Sequence, residues 1–427
     1  MDARSTPDTL IDLLRCPFCG GRFNLADGPP TVRAADGRLD AGILWCECCA
    51  FPVVAGIPVL RADDITRATM AQIEAGRLAE ALETLLGLDE SRVPAFRALT
   101  DRADATYREA IAILSPDPEG TYFVYRFSDP TFVMAEAVVR ALAEHPRAMA
   151  GPVLDLCGGS GHLTRVLTGV RPDSSVVLAD MFFWKLWLAR TFVAPQAIPV
   201  CCDANQPLPF ERATFGTVVL SDAFPYIWHK RLLADEMVRQ AGASGLIVMP
   251  HLHSSLGWNY SAGMTLTPRS YADLFAALEP RLFADEALLT QAIEGNGIDL
   301  SSPLTPEALG DANSFTLVAT ADASVFRRYE RPAQPPVQGE LIVNPLYCTE
   351  STDDGVRLTL TFPTPEYADE FADCRRYLPD TLDLPEPQNL RTSEPQNLRT
   401  SEPQNLRTPA PELLRRRILI DAPPRYC

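Results

Sequence analysis

Two short stretches hold three of the chain's five histidines. SDAFPYIWHK carries Asp222, Tyr226, Trp228 and His229. PHLHSSLGWNYSAGMTLTP carries His251, His253, Trp258, Asn259 and Tyr260. Imidazole titrates near neutrality, so it suits taking a proton from a nucleophile as a new bond forms. The expected base is His251 or His253, with Asn259 or Tyr260 orienting the acceptor; Asp222 and His229 come next. Alternate residues on a strand share a face, so His251 and His253 also have the spacing of a metal pair. No third ligand is evident beside them in the sequence.

A second chemistry lies upstream. VLDLCGGSGHLTRVL, Val153 to Leu167, is an apolar run that ends in Asp155, turns on glycines and opens an amphipathic segment. That is the sequence form of a strand, a tight loop and a helix whose first turn faces a ligand. Glycine lets a backbone come close to a bound group, and the N–H groups at a helix start favour a polar or anionic one. About 20 residues further on, VVLAD ends in Asp180, where a strand-end carboxylate can hold ribose hydroxyls. The pattern implies a nucleoside-containing cofactor.

The third chemistry is at the N-terminus. Cys16-Pro-Phe-Cys19-Gly-Gly and Cys46-Glu-Cys48-Cys49 are paired cysteines a few tens of residues apart, which predicts a tetrahedral four-thiolate zinc site. Cys49 is the expected fourth ligand, after Cys16, Cys19 and Cys46, because its spacing repeats the first knuckle; Cys48 is the alternative. A module of about 60 residues buries too little apolar surface to fold unaided, so a metal replaces part of its core. The expected role is structural, since closed four-thiolate sites do not catalyse.

These residues need elements to position them. With an acid directly before the loop and the sequence Cys157-Gly158-Gly159-Ser160-Gly161, the first stretch resembles motif I of the class I S-adenosylmethionine-dependent methyltransferases, not a dinucleotide fingerprint. The resemblance runs over roughly residues 121 to 320. CCDANQPLPF resembles the third motif, FGTVVLSDAFPYIW the fourth, GLIVMP the fifth strand and SFTLVAT the final antiparallel strand. It implies an α/β fold, a Rossmann-like seven-stranded methyltransferase sheet. It also implies that Asp155 lies near the cofactor's amino acid and that Cys157, Gly158, Gly159 and Gly161 pass beneath it. Asp180 would hold the ribose and Asp203 would read the adenine amino group, with Met181, Ala204 and Ser221 as further cofactor-binding residues. The family usually has glycine where this chain has Cys157. The N-terminal module, with its tail FPVVAGIPVL, resembles the zinc ribbons that activate tRNA and protein methyltransferases and those fused ahead of many bacterial methyltransferases.

The expected organisation is a zinc ribbon over 1–61, a spacer of two or three helices over 62–120 and the methyltransferase domain over 121–320. Within it, GTYFVYRFSDPTF offers Tyr122, Tyr125, Arg126 and Phe127 to cover the cofactor. Residues 321–385 form a small α/β extension, with strands in ELIVNPLYC and VRLTLTFP and a helix over Pro365 to Leu378, that covers the substrate end of the sheet or pairs two subunits. The tail over 386–427 is largely disordered: EPQNLRTS repeats from Glu386, Glu394 and Glu402, too short and polar for a core. Leu413 to Ile420 is expected to dock.

Composition narrows the partners. The net charge of −17 opposes polyanionic substrates. No apolar run reaches about 18 residues, which predicts no membrane span, and the aspartates of the first residues do not make a secretory signal. Eleven cysteines, clustered rather than spread, fit metal binding in a reducing cytoplasm. The expected activity is therefore methyl transfer from S-adenosylmethionine to a small-molecule or natural-product-like acceptor, at O, N or C. The rivals are an rRNA or tRNA base methyltransferase and a non-catalytic cofactor-binding scaffold that recruits a partner through its ribbon. A homodimer or a protein partner stays open.

Overall fold

The computed structural model describes residues 9–258, 263–330, 337–353, 355–385 and 410–427. Seven strands form one mixed sheet: β1 (Val153–Leu156), β2 (Val176–Asp180), β3 (Ile198–Cys201), β4 (Thr217–Val219), β5 (Leu246–His253), β6 (Arg281–Ala284) and β7 (Ser314–Ala319). Their order across the sheet is 6-7-5-4-1-2-3, with β7 antiparallel to both neighbours and β1 to β5 parallel. This is a Rossmann-like α/β architecture. Strands buried on both faces read as continuous apolar runs, and VLDL and VVLAD are buried throughout.

Side chains alternate across the sheet. Val153, Val176 and Leu178 enter a core shared with α2 (Pro130–Ala143), α3 (His162–Val170) and α4 (Phe183–Leu188). Leu154, Leu156, Val177 and Ala179 enter the opposite core, shared with α5 (Lys230–Ala241) and with Leu14, Phe23 and Phe51 of the N-terminal module. The module also covers the edge of the sheet. Val59 pairs with Cys201 of β3, the Leu60 N–H donates to the Cys201 carbonyl at 2.7 Å, and Arg61 Nη1 donates to the Met181 carbonyl at 2.7 Å. An otherwise open edge strand is thereby paired.

The spacer holds four helices, Asp64–Glu74, Leu78–Leu85, Val93–Thr100 and Tyr107–Leu114, one more than expected. The periodic run from Met70 is broken at Gly76, whose φ of +74° ends the first helix. In the extension, Tyr347–Thr352 and Gly355–Leu360 make the hairpin. Glu340–Val343 instead pairs with Leu419–Ala422. The repeats lie outside the described residues. Beyond them the tail is built structure rather than a loose end: Ala410–Arg415 is helical, and Tyr426 stacks on Tyr107 at 4.8 Å. Its apolar residues Leu413, Ile418 and Ile420 are buried. No helix among the described residues is long and apolar enough to cross a membrane.

Candidate active site

Ligands in open α/β sheets bind beyond the carboxyl ends of the strands, where the strand order reverses. Here that point falls between β1 and β4. A cavity of about 1150 Å³ opens there, and it is lined by Asp155, Cys157, Gly158, Gly159, Asp180, Met181, Asp203, Ala204 and Ser221. The glycine loop and the acids predicted from separate motifs therefore converge on one space.

The loop geometry explains its sequence. A Cβ on Gly158 would stand 2.7 Å from the Asp155 carboxylate and 2.5 Å from Leu178 Cδ1, so only glycine fits. Gly161 has φ +84° and caps the start of α3; its Cβ would meet that of Ala189 at 2.9 Å. Gly161 does not line the cavity. It lets α3 pack beside α4, so its direct contact with cofactor is not what the geometry offers. Cys157 has φ +57°, a backbone conformation that glycine adopts more readily. A side chain in this region costs about 1–2 kcal/mol, and the Cys157 N–H is tied to the Ala179 carbonyl at 2.7 Å.

Asp180 braces the crevice. Its Oδ2 accepts from the Gly159 N–H at 3.0 Å and its Oδ1 from the Phe182 N–H at 2.9 Å. Burial raises its pKa above the usual carboxylate value, against the pull of Lys185 and those two N–H groups. Burial likewise drives Asp155 up to about 7, with Asp180 adding to the effect and the Thr164 hydroxyl, donating to Asp155 Oδ2 at 2.6 Å, opposing it. Asp203 Oδ1 accepts from the Asn205 backbone N–H at 2.9 Å and side-chain amide at 3.0 Å. The Ser221 hydroxyl is buried with no hydrogen-bond partner among the described residues.

The other end of the cavity holds Asp222, His251 and His253. His253 Nε2 lies 3.3 Å from Asp222 Oδ1, and the Tyr122 hydroxyl donates to Asp222 Oδ2 at 3.1 Å. His251 Nδ1 lies 2.9 Å from Asp285 Oδ2, whose partner Oδ1 accepts from the Thr316 hydroxyl at 2.7 Å. Burial opposes ionisation of Asp222, but the His253 bond and the charges of His251, Arg126 and His253 outweigh it and hold its pKa at about 2. Burial would lower His251, and the Asp285 bond with the Asp222 and Asp285 charges reverses that, so its pKa is raised. A β-bulge between Met249 and Leu252 sets His251 in place at φ +59°, and Asp222 sits at φ +56°. Strained backbone of this kind gathers at functional sites.

Several expectations are corrected. His229 is exposed and outside the cavity; it stands at the N-cap position of α5 with no side-chain capping bond, its Nδ1 3.0 Å from the Asn205 carbonyl. Tyr122 and Arg126 line the cavity as expected, but Tyr125 and Phe127 do not. They face elsewhere, Phe127 packing on Tyr426 at 5.2 Å and Tyr125 on Tyr367 at 5.7 Å. Asn259 and Tyr260 lie outside the described residues. Asp222 is the third potential ligand that the sequence did not reveal beside His251 and His253. The sequence also left unmarked Asp285 and the Lys185–Glu119 ion pair (2.6 Å) that joins α4 to α1 (Pro118–Val124). Glu370, Phe371, Asp373 and Arg376 reach the cavity from the extension, Glu370 at the end that holds Asp222 and the two histidines. The aromatic-rich helix around Tyr367 was the available signal.

At the N-terminus the sulfurs of Cys16, Cys19, Cys46 and Cys48 lie within 4.8 Å of one another. Cys48, not Cys49, completes the cluster. The turn joining Leu39–Trp45 to Ala50–Val54 closes through the Cys46 N–H and the Cys49 carbonyl at 2.9 Å. The Cys49 side chain packs against the module core, its Sγ 3.3 Å from that of Cys48 but outside the group of four. Three Sγ–Sγ separations of 3.6, 3.7 and 3.7 Å match the spacing of about 3.8 Å on a zinc ion with 2.3 Å bonds. A disulfide needs about 2.05 Å.

No protein-family model matches the chain, and no curated protein matches it. Among solved structures, a SAM-dependent methyltransferase from Aquifex aeolicus is 12% identical, covering 47% of this chain and 97% of its own, with a TM-score of 0.33. The plantazolicin methyltransferase BpumL, solved with a triazolic desmethylPZN analogue and SAH, is 11% identical. It covers 52% of this chain and 97% of its own, with a TM-score of 0.35. A chain from the complex between the Haloferax volcanii Trm112 methyltransferase activator and a methyltransferase is 18% identical. It covers 48% of this chain and 95% of that one, with a TM-score of 0.34.

Proposed function

We propose that the chain is a methyltransferase that moves the methyl group of S-adenosylmethionine to a small-molecule acceptor. The observation that carries this reading is the single cavity running from the glycine loop and Asp180 at one end to Asp222, His251 and His253 at the other. The residues fit the cofactor. Gly158 and Gly159 present bare backbone, Asp180 offers a strand-end carboxylate, Asp203 offers an acceptor suited to an adenine amino group, and the unpartnered Ser221 hydroxyl awaits a polar group. Asp155 offers the cofactor's ammonium a buried carboxylate.

Bound S-adenosylmethionine supplies an electrophilic methyl on a sulfonium. This chain must align an acceptor with that methyl and exclude water, because alignment supplies much of the rate. Tyr122, Phe123 and Phe371 give the cavity apolar walls, and the Lys185–Glu119 pair fastens α1 beside it. Asp222, His251 and His253 receive the acceptor where its nucleophile must shed a proton. The net charge of −17 favours a small molecule over a tRNA or rRNA base. The four cysteine sulfurs hold a structural zinc ion that secures the edge of the sheet.

Incubating the purified chain with methyl-labelled S-adenosylmethionine and the low-molecular-weight fraction of its host's extract tests this. The expected result is label in a new small molecule. Label entering RNA in total extract, and not the small-molecule fraction, would overturn the choice of acceptor.

A further inference from the structure

Asp222, His251 and His253 form more than a pair of hydrogen-bonded histidines. One ring nitrogen of each histidine and one Asp222 oxygen lie within 4.8 Å of one another. Three facts about this cluster point in one direction. The His253 Nε2–Asp222 Oδ1 separation of 3.3 Å is already close to the spacing of about 3 Å between neighbouring ligands on one ion with bonds near 2.1 Å. His251 gives its Nδ1 to Asp285, itself held by Thr316, which is how metal-ligating histidines are oriented. The surrounding wall is acidic: Asp285, Glu286, Glu370 and Asp373 face Arg126 and Arg376. Arg126 is already engaged with Asp129 at 2.7 Å, and Arg376 with the Thr290 hydroxyl at 2.6 Å and with Asp373 at 3.8 Å, which leaves Asp285, Glu286 and Glu370 as the acids of this wall that are not paired with those two arginines.

We infer that Asp222, His251 and His253 bind a divalent first-row transition-metal ion at the acceptor end of the cavity. Two imidazoles and one carboxylate suit nickel, cobalt, iron(II) or zinc rather than magnesium or calcium. With three protein ligands, positions stay open towards the cavity for an oxygen of the acceptor. The inference rests on the methyltransferase reading for its purpose: an acceptor hydroxyl held by such a cation loses its proton to water more readily. The acceptor oxygen then forms the new bond to the methyl carbon, and the S–C bond breaks with its electron pair left on sulfur as a neutral thioether. The favoured acceptor is thus an oxygen nucleophile able to ligate a metal. Asp285 is a positioning residue that acts through His251.

The test uses the full chain with its cysteine cluster loaded with one equivalent of zinc. Nickel(II) is titrated by calorimetry, and S-adenosylhomocysteine is titrated separately. The expected result is one further equivalent of nickel, lost in His253→Gln and in Asp222→Asn, and bound at least about 10-fold more weakly in Asp285→Asn. All three variants should still bind S-adenosylhomocysteine, which shows that they fold. No nickel uptake by the wild type up to 1 mM, or uptake unchanged in both ligand variants, overturns the metal site. Nickel uptake without S-adenosylhomocysteine binding instead overturns the methyltransferase reading and leaves the site standing.

Discussion

Asp180→Ala is expected to weaken S-adenosylmethionine binding by about 100-fold or more while the protein remains folded. The carboxylate stands at the end of β2 and lines the cavity, and its two oxygens brace Gly159 and Phe182. Two ribose hydroxyls bound to a carboxylate are each worth about 1.5–3 kcal/mol, and about 1.4 kcal/mol is tenfold in affinity. Losing both therefore gives two orders of magnitude before any slackening of the glycine loop is counted. Asp180→Asn keeps one acceptor for the Gly159 N–H and should fall between the two. Calorimetry on the three proteins, with far-ultraviolet circular dichroism as a check of folding, measures it. Equal affinity in wild type and Asp180→Ala contradicts the placement of the cofactor.

The second large effect concerns the cysteine cluster. Cys48→Ser should reduce bound zinc from about one equivalent to nearly none, and Cys49→Ser should leave it in place. Structural zinc contributes on the order of 10 kcal/mol to folding of small modules, so the N-terminal module should unfold in Cys48→Ser. The consequence reaches the cofactor site. Without the module, the edge of β3 loses the Leu60–Cys201 bond, and the loop after Asp180 loses the Arg61–Met181 bond. S-adenosylmethionine affinity should therefore drop several-fold, and heating should reveal an early transition absent from Cys49→Ser. Zinc lost equally from both variants would contradict the choice of Cys48.

The parts of the site that were legible in the sequence share a cause. Gly158, Asp155, Asp180 and Asp203 sit at strand ends, and a buried parallel strand announces itself as an apolar run with a fixed exit. The loop after it is then short enough to place residue by residue. His251 and His253 were found for the same reason, at the end of β5. What stayed hidden depends on contacts between distant segments. Asp222 meets His253 across two neighbouring strands, and Asp285 meets His251 across a gap of 34 residues. Neither pairing leaves a trace in local spacing. Phe371 and Arg376 arrive from the extension, whose docking is decided by packing of Tyr367 and Tyr377 and not by periodicity. His229 misled because it lies just past a strand end by count, yet it starts α5 and turns to Asn205. Cys49 misled because the symmetry of the two knuckles in sequence is broken by the turn that closes on its carbonyl.

The central claim is that the crevice between β1 and β4 cradles the adenosyl donor, with its sulfur facing the Asp222–His251–His253 end. A crystal structure of the chain grown with S-adenosylhomocysteine measures this most directly. The account predicts ribose hydroxyls on Asp180, the adenine beside Asp203 and the sulfur aimed at the two histidines. Density for the nucleoside elsewhere, or a crevice left empty at saturating concentration, would contradict it.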